Sequence, residues 1–126
     1  MLHNLGSKTT LLAVRPNALA ASTGVGSAID LLDYEGDIAF VLDASAGGSG
    51  ITYAVKLTES DTSGGSYTDV SGGAFTTTSA NTALQEKLYV NSNDTKRYIK
   101  ASVTVAGGTG TGFVSLTGLA SKKYGN

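Results

Sequence analysis

Apolar residues recur along this chain at every second position, in segments of strand length. In Ile51–Ser60 (ITYAVKLTES), Ile51, Tyr53, Val55 and Leu57 fall on one side, and Thr52, Ala54, Lys56 and Thr58 on the other. Side chains of an extended backbone point alternately to opposite faces, so this spacing predicts a strand with one buried face. Arg97–Val105 (RYIKASVTV) repeats the pattern, with Ile99, Ala101, Val103 and Val105 inward and Tyr98, Lys100, Ser102 and Thr104 outward. Gly36–Asp43 (GDIAFVLD) is apolar at nearly every position and predicts a strand covered on both faces or placed centrally in its sheet. Phe113–Ala120 (FVSLTGLA) predicts a last strand, whose alternation slips between Leu116 and Leu119 and marks Gly118 as a bulge. Weaker strand signals lie at Thr9–Arg15, Ala28–Leu32, Tyr67–Val70, Ala74–Thr78 and Ala83–Val90. The one helical candidate, Asn81–Leu88, puts Leu84 and Leu88 on one face, but the run continues into Tyr89-Val90 and reads better as strand.

Between these segments stand Gly-rich turns: Ala46–Gly50, Asp61–Ser66, Ser71–Gly73 and Gly107–Gly112. Glycine supplies the positive-φ positions that hairpin loops require. About eight short strands with such turns predict an all-β fold, an antiparallel β-sandwich or a jelly-roll-like barrel. The expected core is Ile38, Phe40, Leu42, Ile51, Tyr53, Val55, Leu57, Ile99, Val103, Val105, Val114 and Leu116. No linker divides the chain, and 126 residues suit a single domain. Residues 28–126 form the sandwich. Residues 1–27 hold Leu2, Leu5, Leu11, Leu12, Val14, Leu19 and the only proline, Pro16. They read as an extended N-terminal arm lying across a partner or as the first edge strand. Leu11–Val14 followed by Ala18–Ala21 imitates a secretory signal, but Arg15 and Pro16 interrupt an apolar stretch that such signals carry unbroken for about 7–15 residues.

Composition narrows the chemistry. Charged residues make up 15% of the chain, below the ~25% usual for soluble domains, while Gly, Ser and Thr supply 47 of 126 positions. The absence of cysteine excludes disulfides, thiolate metal sites and Cys nucleophiles. A lone histidine, His3, excludes paired imidazoles and argues against a Ser/His/acid triad. A net charge of −1 gives no footprint for nucleic acid, and no apolar run approaches the ~20 residues of a membrane-spanning helix. Neither nucleic acid nor membrane is therefore an expected partner. Charge is nonetheless segregated: residues 16–86 carry nine acids and one base, and residues 87–126 carry six bases and one acid. Either the two regions pair within one molecule, or an acidic patch on one copy meets a basic patch on another.

Candidate sites are few. Asp30, Asp33, Glu35 and Asp37 crowd one loop region, but the alternating ligand pattern of a calcium loop is missing, so no metal is expected. Gly107–Gly112 lacks the lysine and the following helix of a phosphate loop. No catalytic residue and no cofactor is expected, and the chain reads as a non-enzyme. The outward aromatics Tyr34, Tyr67 and Tyr98 suit either sugar stacking or anchoring of an interface.

The order of these segments resembles the head decoration, or cement, proteins encoded beside the major capsid protein of tailed bacteriophages. The resemblance runs over about residues 28–126. It rests on Ile29-Asp30-Leu31-Leu32 before Gly36–Asp43, the Ile51–Ser60 strand, a Gly/Ser turn into Tyr67-Thr68-Asp69-Val70, Ala74-Phe75, Arg97-Tyr98-Ile99-Lys100 and a Thr/Gly-rich close ending in Lys122-Lys123-Tyr124. These motifs are strand and turn patterns without chemistry, and Tyr67–Val70 after a Ser/Gly turn also occurs in other β-sandwich modules. The resemblance implies a virion structural protein made in the bacterial cytoplasm. Such a subunit self-associates as a homo-dimer or homo-trimer and binds the major capsid protein on the outer capsid surface at capsomer junctions. Its expected interface residues are Leu11, Leu12, Val14 and Arg15 of the arm with Tyr34, Tyr67, Arg97 and Tyr98. A carbohydrate-binding or adhesive β-sandwich of a fibre, spike or bacterial surface protein is the alternative.

Overall fold

The structure, a computed structural model, describes residues 9–20, 24–79, 81–108 and 112–123, with residues 15–20 described by their backbone alone. The strands are β1 (Thr9–Ala20), β2 (Gly24–Val25), β3 (Ile29–Asp30), β4 (Tyr34–Ala44), β5 (Thr52–Ser60), β6 (Thr68–Ala74), β7 (Leu84–Asn91), β8 (Tyr98–Ala106) and β9 (Gly112–Lys122). One sheet has the order β1-β9-β4-β7. The other has the order β2-β8-β5-β6, with β3 also pairing β8. β2 and β3 act as two halves of one strand along β8, bridged by hydrogen bonds from Gly26 N–H to Ala101 O and from Leu31 N–H to Arg97 O, both 2.8 Å.

The pairing is nested. β1 pairs with β9, β2 and β3 with β8, β4 with β7, and β5 with β6, all antiparallel. The β4–β9 and β5–β8 ladders then complete the sheets. A long two-stranded ribbon folded over itself in this way is a jelly roll, one form of the all-β sandwich expected from the alternation. The nesting also changes the role of the glycine-rich segments. Asp61–Ser66 closes a hairpin between β5 and β6, but Ala46–Gly50 carries the chain from one sheet to the other, between β4 and β5. The expected Gly107–Gly112 turn likewise joins β8 and β9 of opposite sheets, and its residues 109–111 lie outside the described residues.

The inner faces meet in one core. Ile38, Phe40, Leu42, Ile51, Tyr53, Val55, Leu57, Ile99, Val103, Val114 and Leu116 are all buried as their spacing requires. Val105 is only partly buried, and Val14, from the N-terminal stretch, is fully buried in its place. Each such side chain contributes roughly 1.5–3 kcal/mol relative to exposure.

Of the two placements open for Gly36–Asp43 the central one holds, and two local expectations are corrected. β4 is central, with β9 and β7 on its flanks, but it is not covered on both faces: Ile38, Phe40, Leu42 and Ala44 point inward while Val41 is 39% exposed. Ser71–Gly73 is not a turn between two strands. It lies inside β6, where the six residues from Asp69 to Ala74 oppose only the three from Thr58 to Lys56 of β5. The surplus forms a bulge, with Gly72 at φ 72°, that turns Val70 into the core. Past it, the chain still follows β5, through Phe75 N–H to Val55 O and Thr78 N–H to Tyr53 O, each 2.9 Å.

Gly118 is likewise no bulge. It pairs in regular register with Leu12 on one side and Phe40 on the other, and it continues the inward series Gly112, Val114, Leu116, Gly118 and Ala120. The alternation seemed to slip because the inward residue has no side chain. The Phe40 ring occupies that space: a Cβ on Gly118 would stand 3.2 Å from Phe40 Cε1 and 3.3 Å from Leu12 Cβ. Gly118→Val therefore overpacks the core and should cost about 1–3 kcal/mol in denaturant unfolding. Adding Phe40→Leu should recover part of that loss, because the two sites share one space. An unchanged unfolding midpoint in Gly118→Val would show that the ring does not lie over this position.

Candidate functional site

Because the inner faces are consumed by the core, any site must lie on an outer face, an edge or a connection. The outer face of β1-β9-β4-β7 is set by register. Leu11 stands opposite Leu119, Leu119 opposite Ala39, and Ala39 opposite Tyr89. One row crossing all four strands is thus Leu, Leu, Ala and Tyr, with Leu11 70%, Leu119 38% and Tyr89 61% exposed. The next row is Ala13, Thr117, Val41 and Lys87. Asp37, held by Asn91 Nδ2 at 2.9 Å, borders the band on one side, and Asp43, reached by Gln85 Nε2 at 3.4 Å, on the other. The result is an apolar band in a polar frame, the layout of a protein-binding surface rather than of a reaction centre.

The outer face of the second sheet is polar and cationic. Arg97, just before β8, grips Asp30 of β3 with two bonds, Nε to Oδ1 at 3.0 Å and a second guanidinium nitrogen to Oδ2 at 2.9 Å. Its guanidinium carbon also lies 5.0 Å from the centre of the Tyr98 ring. Two residues further into β8, Lys100 Nζ sits 4.2 Å from the centre of the Tyr67 ring, and the Tyr67 hydroxyl donates to Ser63 O at 2.9 Å. Lys56 of β5 pairs with Asp69 of β6 at 2.8 Å. Val25, 64% exposed, borders this face on β2.

The predicted interface residues therefore do not share one surface. Tyr67, Arg97 and Tyr98 come together on the second sheet. Tyr34 is half-buried near the end of the first, where it lines a small groove with Leu32, Arg97 and Lys123. Leu11 projects from β1, but Leu12 and Val14 are 6% and 0% exposed inside this molecule's own core, which takes them out of any interface. The stretch also has a strand partner of its own, since β1 pairs with β9 along its length; Arg15 stands opposite Leu116, and its side chain is outside the described residues. Sequence reasoning missed Leu119, Tyr89, Val41 and Lys100. Alternation already turned Lys100 outward, but which outward residues form a row depends on register between strands distant in sequence.

The acidic cluster is taken apart by its partners. Asp30 is committed to Arg97 and to Leu32 N–H at 3.0 Å, and Asp37 to Asn91. No group of three or more potential metal ligands converges among the described residues. Two ion pairs join the segregated regions among the described residues, Arg97 with Asp30 and Lys96 with Asp61 at 3.8 Å, and the backbone N–H of Lys96 donates to Glu59 Oε2 at 2.9 Å.

Asp30 is held below the usual carboxylate range, first by the hydrogen bond from Arg97, with Leu32 N–H adding to it against the opposing effect of burial. A depressed folded value stabilises the fold above the unfolded value of about 3.9 and loses that contribution as pH falls through the folded value. Both side chains are more than 40% exposed, so screening keeps the effect on stability small. The sharper readout is the titration itself. By carboxyl-detected NMR, Asp30 should titrate below about 3.9 and return toward it in Arg97→Ala; an identical titration in the variant would mean the pair does not form.

Neither a protein-family model nor any curated protein matches the sequence. Solved structures do match the fold. A chain of the T13 particle of infectious bursal disease virus superposes with a TM-score of 0.52 at 13% identity, over 91% of this chain and 31% of that one. Chains of the Gx and Gt strains of the same virus give 0.52 at 10% identity and 0.51 at 9%, over 94% and 91% of this chain and 34% and 33% of theirs. This chain spans about one third of their length. At such identities the likeness lies in the fold: this jelly roll has the architecture of a domain found in an icosahedral virus particle.

Proposed function

We propose that this protein is a structural subunit of a virion, a decoration or cement subunit on the outer surface of a tailed-phage head. The observation that carries the reading is the pairing of a virus-particle fold with a full-width apolar row, Leu11-Leu119-Ala39-Tyr89, on an outer sheet face. The first indicates the kind of assembly, and the second supplies a surface for joining it. The major capsid protein is the partner on that face, at capsomer junctions, and the subunit self-associates as a dimer or trimer. Individual contacts need not be strong, because many copies on a closed lattice act together through effective concentration. A surface rich in Ser, Thr and Gly helps, since few long side chains must be immobilised on docking.

The test is co-sedimentation with particles assembled from the major capsid protein alone, with light scattering for the mass of the free protein. Full-length protein should pellet with particles at a fixed stoichiometry and scatter as a dimer or trimer. Leu119→Glu places a charge at the centre of the apolar row and should lower occupancy at least about ten-fold, the scale of one lost interface anchor. Its thermal midpoint should move little, because the side chain is outward. A monomer that never pellets with particles contradicts the reading.

A further inference from the structure

The virion reading makes no use of the cationic face of the second sheet, which carries a groove of about 420 Å³ lined by Val25, Lys56, Thr58, Tyr67, Asp69, Lys100 and Ser102. The register explains why these side chains converge. Ser102 of β8 stands between Val25 of β2 and Lys56 of β5, and Thr58 of β5 stands between Lys100 of β8 and Asp69 of β6. The groove is therefore floored by short hydroxylated residues and walled by longer charged ones. Its volume falls in the range of small-ligand sites, roughly 300–1,000 Å³.

The charges in it are not equivalent. Lys56 is satisfied, its ammonium lying 2.8 and 2.9 Å from the two Asp69 oxygens. Lys100 has no carboxylate partner among the described residues; its ammonium rests on the Tyr67 ring. An ammonium on an aromatic face keeps its charge and its outward N–H donors while its position is fixed. Tyr67 is itself anchored through its hydroxyl to Ser63 O. The groove thus presents one pre-positioned cation for an anionic group. Opposite it lie the Asp69 carboxylate and the Thr58 and Ser102 hydroxyls for hydroxyl donors, with the exposed Val25 as an apolar wall.

We infer that this groove binds acidic saccharides, with the sugar carboxylate on Lys100, ring hydroxyls donating to Asp69, and an aliphatic face of the ring against Val25. Asp69 decides between ligand classes. A sugar offers hydroxyl donors to the spare lone pairs of Asp69, whereas the side chains of an acidic peptide bring carboxylates that have no proton to donate to it. The site does not depend on the virion reading, because it lies on the opposite sheet from the apolar row. The groove is open and shallow, so the affinity per site is on the order of millimolar.

The experiment is a ¹⁵N-HSQC titration of the full chain with sialyllactose, with lactose and a short glutamate peptide as comparisons. Sialyllactose should shift the amides of Val25, Tyr67, Lys100 and Ser102 in a saturable manner, and lactose and the peptide should bind at least about ten-fold more weakly, the factor of one charge-assisted contact. Lys100→Gln, which keeps most of the stem over Tyr67, should lose a similar factor, while Lys87→Gln on the other sheet should leave binding unchanged. An unaltered thermal midpoint in Lys100→Gln separates loss of binding from loss of fold. The site is overturned if sialyllactose shifts none of these amides, if Lys100→Gln binds as tightly as the parent, or if lactose or the peptide matches sialyllactose. Neither result bears on co-sedimentation with particles.

Discussion

Everything in this molecule follows from the burial of two sheet faces against each other. With no cysteine, the two sheets are held together by interdigitated side chains: Tyr53 of β5 fills the space beside Gly112 of β9, and within the first sheet Phe40 lies over Gly118. Gly118 leaves β9 without a side chain there, and Phe40 of β4 and Leu12 of β1 close over the same space from either side. Because β4, β5, β8 and β9 spend alternate residues on this core, their remaining residues are committed to an outer face. The two outer faces are then free to differ, and they do: one carries an apolar band, the other a cationic groove.

The electrostatics point the same way. Acids from the first two thirds of the chain meet bases from the last third within one molecule, as in Asp30–Arg97 and Asp61–Lys96. These pairs are exposed and contribute little to stability. Their effect is on the surface: they engage two acids and two bases that the segregation would otherwise offer to a neighbouring copy. Lys100 is instead a cation held by an aromatic ring.

Period-two alternation made the core legible, because β5 and β8 place Ile51, Tyr53, Val55, Leu57, Ile99 and Val103 at the spacing a one-sided strand demands. Alternation fails wherever the inward residue is unusual. At Gly118 the inward side chain belongs to Phe40 of a neighbouring strand, so the local pattern looked broken when it was intact. At Ser71–Gly73 glycines that signal a turn were used for a bulge, a choice that depends on the β5 register. Leu12 and Val14 read as available for a partner because nothing local reveals that β1 pairs with the distant β9 and so joins a sheet whose inner face is the core. The candidate sites were legible one residue at a time: Tyr67, Arg97 and Tyr98 were recognisably outward. Their gathering with Lys56, Asp69 and Lys100, and the alignment of Leu11, Leu119, Ala39 and Tyr89, are properties of strand order and register that a local reading of the chain does not contain.

The proposed role in a virion assigns the apolar face to the capsid and leaves the cationic face outward, so orientation is its most direct consequence. Electron cryomicroscopy of heads carrying the protein reads that orientation. The outer face of β1-β9-β4-β7 should lie against the shell, with Tyr89 and Leu119 enclosed by capsid protein and Lys100 facing solvent. A map with the domain absent from the shell, or seated with Leu11, Leu119 and Tyr89 open to solvent, would contradict it.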